Sequence, residues 1–174
     1  MYLSQFKTAA VLLVVAGSFV GCGSQATTTN DKPSAEGTAY RLSSEPADAK
    51  GVKEVREIAK SDEEVTLVGR IGGDTSPWVD GQAAFLIVDP ALKPCNEKGD
   101  DACEAPWDYC CDSDLLPSNR AMVKIVDKDG KTVATDARKL LGVKELQTVV
   151  VHGKAKRDDA GNLTVLAKGV YVKQ

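Results

Sequence analysis

The sequence predicts a mainly β domain of five short strands, and three observations carry that prediction. Five apolar runs separated by turn residues occupy the C-terminal two thirds: VTLVGRIGG, AAFLIVD, AMVKIV, QTVVVHGKAK and LTVLAKGVYVK. The first run closes on Gly72 and Gly73, a pair suited to a bulge or a sharp strand bend. One helical run, ARKLL, falls between the third and fourth strands.

Each element has a local reason. VKEVREIAK sets Val52, Val55, Ile58 and Ala59 on one stripe, the spacing of an amphipathic N-terminal helix, and it stops at the acidic turn SDEE. In the first strand Val65, Leu67 and Ile71 share one face, and Thr66, Val68 and Arg70 the other. AAFLIVD (83–89) is a continuous apolar run, the pattern of a strand covered on both faces, and Pro90 ends it. Asp129-Gly130 is a hairpin signal that pairs Met122–Val126 with a return strand at Thr132–Ala134. Asp136 is placed to cap ARKLL, and Gly142 to terminate it. DDAGN turns the fourth strand into the fifth.

Strand, strand, strand, helix, strand, strand is the order of an OB-fold barrel. Five strands closing on one another remove the open edges on which a small β domain aggregates. A β-sandwich is the other arrangement compatible with alternating strands; it calls for more strands and no helix at that position.

The N-terminus predicts export. Lys7 precedes the uncharged apolar run TAAVLLVVAGSFV, and Phe19-Val20-Gly21-Cys22 has the form of a bacterial lipobox. The apolar run is shorter than the roughly 20 residues a transmembrane helix needs. Residues 1–21 are therefore expected to be a lipoprotein signal peptide, with Cys22 lipidated and holding the chain to a membrane. Residues 22–50, rich in Ser, Thr, Ala, Gly and Pro, read as a flexible tether. Residues 51–174 then form one OB-like domain. The expected location is the cell envelope, facing the periplasm or the exterior.

The segments VTLVGRIGG, AAFLIVDP, CEAPWDYCC, KIVDKDGK, ARKLLG and VVVHGKAKRDDAGNLTVLAKGVYV resemble a family of secreted lipoproteins of planctomycete-type bacteria. The rare string PWDYCC (106–111) is the most specific of these pieces. The resemblance implies an OB-like, nucleic-acid-binding-like fold and an envelope location, and supplies no reaction.

Charge argues against nucleic acid as a partner. The chain carries a formal net charge of -3, and removing Lys7 with the signal peptide makes it more acidic. Stacking on bases needs exposed aromatics on the middle strands, where only Phe85, a core candidate, is present. Lys154, Lys156, Arg157 and Lys168 near the last hairpin are offset by Asp158 and Asp159. Catalysis is poorly supplied as well. The single histidine, His152, sits mid-strand, and no G-x-S-x-G elbow, P-loop or HExxH motif occurs. A non-enzymatic binding or structural module is expected.

The cysteines are the remaining chemistry. With Cys22 assigned to the anchor, Cys95, Cys103, Cys110 and Cys111 are left, spaced C-x7-C-x6-C-C. An oxidising compartment favours disulfides, and a bond between the neighbours Cys110 and Cys111 is disfavoured because successive side chains point apart. Two disulfides, each joining one of the CC pair to Cys95 or Cys103, would staple a segment of about 30 residues with little regular structure. No cofactor is then required. The alternative is a four-cysteine zinc or copper site in a metal-binding or metal-trafficking protein, although no C-x2-4-C knuckle is present. Thiol oxidoreduction is a third class, with no C-x-x-C motif behind it. Trp78, Trp107 and Tyr109 lie in the non-repetitive loops and are candidates for contact with a protein or small-molecule partner. Trp107 has a second reading, as a lid packed over the sulfurs.

Overall fold

The computed structural model describes residues 32–99 and 103–174. The predicted signal peptide, the lipidation site Cys22 and the first part of the tether lie outside the described residues. None of the described helices is long and apolar enough to cross a membrane.

The domain is a closed five-stranded, OB-fold-like barrel. Its strands are β2 (Glu64–Ile71), β3 (Ala84–Val88), β4 (Arg120–Ile125), β5 (Thr148–Arg157) and β6 (Leu163–Val172), and a two-residue strand β1 (Lys50–Gly51) runs parallel to β2. The sheet order β1-β2-β3-β4-β6-β5 closes through a second pairing of β2 with β5. All barrel pairings are antiparallel except β4 with β6. Alternation in β2 is as its sequence implies, with Leu67, Gly69 and Ile71 buried and Thr66, Val68 and Arg70 only partly so. Phe85 and Ile87 face Val123 and Ala121 across β3–β4, and all four are buried.

Among the described residues, three short α-helices accompany the barrel: α1 (Val52–Ile58), α2 (Leu116–Asn119) and α3 (Ala137–Leu141). The Asp136 carboxylate accepts the Arg138 N–H and so caps α3, and Gly142 ends it in the left-handed conformation at φ 62°. The resulting turn buries Ala137, Leu140 and Leu141 in the barrel core. Helix α1 buries Val52 and Val55, with Ala59 just beyond its end, but Ile58 is 56% exposed. Ile58, the last helical residue, lies to one side of the Val52, Val55 and Ala59 stripe and faces solvent. The return strand expected at Thr132–Ala134 contracts to one bridge, Val126 to Thr132, because the chain must turn directly into the α3 cap.

The described part of the expected tether is packed on the barrel rather than free. Ser34 N–H donates to the Leu140 carbonyl, Leu42 N–H to Val170, and the Arg41 guanidinium to Leu141 at 2.7 Å. Tyr40 packs against the core, and Arg41 bridges to Val170 of β6. Composition misses this docking because backbone groups, the Arg41 guanidinium and a single aromatic ring make much of it, where disorder arguments count apolar side chains.

The cysteines lie in the long connection between β3 and β4. Its ends meet where Asp89 N–H donates to the Asn119 carbonyl at 2.8 Å. The Asp89 carboxylate accepts the Lys53 and Ala91 N–H groups, so the foot of the loop also caps α1. A small second cluster of Val88, Tyr109 and Leu116, joined by Leu92, sits beneath the loop and apart from the barrel core.

Candidate metal centre

Two chain segments are paired to bring the sulfurs together. Cys95 N–H donates to the Asp108 carbonyl at 2.8 Å, and Asn96 N–H to the Pro106 carbonyl at 3.2 Å. This aligns the single helical turn Cys95–Glu97 with the turn at 105–108 that leads into a second helical turn, Cys110–Asp112. Prolines at 94 and 106 leave no N–H of their own to satisfy, and both flank the paired segments. The Asp108 carboxylate accepts the Tyr109 N–H at 2.7 Å, the orienting role open to an acid at that position.

All four sulfurs then converge. The Sγ atoms of Cys95, Cys103, Cys110 and Cys111 lie within 4.8 Å of one another. Cys110 is central, with its Sγ 3.3 Å from that of Cys95 and 3.2 Å from that of Cys103. These are contacts between thiols; a disulfide holds its sulfurs at about 2.05 Å. The two staples expected from the sequence are therefore not formed in this structure, and the four cysteines are free. The sulfurs meet around one centre, with Cys110 close to both Cys95 and Cys103.

Burial is graded across the cluster. Cys95 is 1% exposed, Cys103 is half-buried, and Cys110 and Cys111 face solvent. Burial alone would push the Cys95 thiol up, but hydrogen bonds from the Cys110 and Cys103 thiols and from the Cys110 and Cys111 backbone outweigh it. The net shift is downward, the only one of the four that is. Cys110, which shares its proton with Cys103 and Cys95, is pushed up to about 11. Cys111 is raised chiefly by its contact with Cys110. Cys103 is raised as well: its contact with Cys110 pulls it down, but the contact with Cys95, burial and the charges of Cys95 and Cys111 outweigh that pull.

Ion pairs and close packing hold the loop to the barrel. Arg70 of β2 pairs with Glu97 of the loop at 2.7 Å, while Lys98 pairs with Asp112 at 2.5 Å within the loop. Gly73 N–H donates to the Trp107 carbonyl at 3.0 Å. A Cβ on Gly72 would stand 2.4 Å from that same oxygen, so the glycine pair at the end of β2 is the seat on which the cysteine loop rests. Sequence reading assigned the glycines to a bend and passed over Glu97, Lys98 and Asp112. The only sequence signal for these three was charge within a cysteine-bearing loop.

The aromatic candidates are not brought together. Trp78 is 8% exposed, stacks at a tilt on Phe85 and donates its indole N–H to Glu145 at 2.5 Å, so it is a core residue and not a contact surface. Tyr109 is buried in the second cluster, also out of reach of a partner. Trp107 is half-buried, and its indole N–H donates to the Thr75 carbonyl at 3.1 Å, tying two loops together. His152 is exposed on β5 and hydrogen-bonded to Thr66 at 3.0 Å. Comparison with known proteins adds no relative: neither a protein-family model nor a curated protein matches the chain.

Proposed function

We propose that Cys95, Cys103, Cys110 and Cys111 form a four-thiolate metal centre, and that the chain is a metal-binding module of the cell envelope, held there by lipid on Cys22. The observation that carries the proposal is the convergence of four sulfurs from three separate points of one loop within 4.8 Å. A tetrahedral zinc site with Zn–S bonds of about 2.3 Å separates its sulfurs by about 3.8 Å. The contacts here run from 3.2 Å up to that 4.8 Å limit, bracketing the value. An all-sulfur donor set selects zinc or copper(I) over magnesium or calcium, and four thiolates favour zinc. Backbone N–H groups directed at Cys95 and the Lys98 ammonium nearby would temper the charge of the thiolates. The two solvent-facing ligands, Cys110 and Cys111, favour a metal that exchanges over one sealed in a core.

Cobalt(II) titration of the reduced Cys22→Ser chain tests this reading. One equivalent should develop sulfur-to-cobalt charge transfer and the bands of tetrahedral cobalt, and zinc should displace it. Cys95→Ser should weaken binding more than about 100-fold, beyond the loss of a supporting neighbour. Cys103, Cys110 and Cys111, all raised, hold protons that the metal must displace, so affinity should fall about tenfold per displaced proton for each pH unit of acidification. Octahedral cobalt, or binding insensitive to Cys95→Ser, would defeat the reading.

A further inference from the structure

We infer that the same four sulfurs form a redox-gated metal site, whose oxidation by a small-molecule disulfide closes two protein disulfides and expels the metal. The inference rests on the metal reading above and adds its regulation.

Three features of the cluster support it. Cys110 already stands 3.3 Å from Cys95 and 3.2 Å from Cys103, so closing either bond requires a sulfur shift of about 1.2 Å. Only one of the two can form with Cys110, which leaves Cys111 to take the other partner, and all four sulfurs lie within mutual reach. Cys110 and Cys111 also face solvent, where an external disulfide can be attacked, whereas Cys95 is 1% exposed and held through its backbone. The loop's attachments to the barrel, Arg70 to Glu97 and Gly73 to the Trp107 carbonyl, contain no sulfur and need not break.

The chemistry balances. A solvent-facing thiolate attacks the external disulfide RSSR, forming a mixed disulfide and releasing RS⁻. A second cluster thiolate attacks the protein sulfur of that mixed disulfide and releases another RS⁻. Repeating the sequence oxidises four cysteine thiolates to two disulfides, reduces two RSSR to four RS⁻, and sets one zinc ion free. The ion has lost all four ligands, and disulfide sulfur is too poor a donor to retain it.

The test uses the zinc-loaded Cys22→Ser chain, so that only the loop thiols are counted, exposed to oxidised glutathione. Released zinc is followed with a chromogenic chelator, and thiol state by non-reducing intact mass and peptide mapping. The expected result is one zinc released as four hydrogens are lost relative to the reduced protein. Cys110 should be linked to Cys95 or Cys103 with Cys111 on the remaining partner, and a thiol reductant should restore zinc binding. Zinc retained with unreacted thiols, or released as glutathione adducts without internal disulfides, overturns the switch and leaves the metal site standing. A reduced chain that never takes up zinc overturns the metal reading itself, and the switch with it.

Discussion

Tyr109 is the most constrained residue of the site. It is 1% exposed and wedged against Val88 and Leu116 beneath the sulfurs, and among the described residues its hydroxyl has no hydrogen-bond partner. Burial pushes its pKa up to about 12, against the pull of the nearby Arg70 guanidinium, so the ring stays neutral throughout the physiological range. The ring fills the floor of the loop, while the hydroxyl carries a desolvation cost that the nearby Arg70 only partly offsets. Tyr109→Phe should therefore be neutral or stabilising by up to about 1–3 kcal/mol, because an unpaired buried polar group is removed. Tyr109→Ala should cost about 3–5 kcal/mol and loosen the cysteine turns. Chemical denaturation of the two variants compares these directly, and a Tyr109→Phe loss as large as that of Tyr109→Ala would mean that the hydroxyl is paired.

At the scale of elements, the cysteine loop and the end of β2 are one unit. Gly72→Ala places a methyl 2.4 Å from the Trp107 carbonyl, so the loop must lift or β2 must bend. We expect a cost of about 1–3 kcal/mol in thermal or denaturant unfolding. Gly81→Ala makes a control for glycine replacement, because its added Cβ meets nothing within 4 Å and it keeps only the strain of its φ of 70°. Equal losses in the two would show that backbone strain, and not the loop's seat, sets the cost at Gly72. How legible each element was in the sequence follows its physics. β2 and the cap of α3 were readable because alternation and an Asp…Gly frame are local signals. The docking of residues 33–42 was not, since backbone bonds to β6 and α3 leave no side-chain pattern. The spacing of the four cysteines placed all of them in one loop. Their convergence depends on the pairing of Cys95 and Asn96 with Asp108 and Pro106, a long-range register that no local pattern encodes.

For the whole molecule, the barrel supplies rigidity and the chemistry sits outside it. Closure through β2–β5 leaves one continuous core, and the cysteine cluster lies over a separate small core against the ends of β2 and β3. On the proposed reading, a metal would bind and leave outside the barrel core. The most direct measurement of the central claim is zinc K-edge X-ray absorption on the reduced, zinc-loaded chain. The account predicts one shell of four sulfurs at about 2.3 Å. A shell dominated by nitrogen or oxygen at about 2.0–2.1 Å, or one with only two sulfurs, would contradict it.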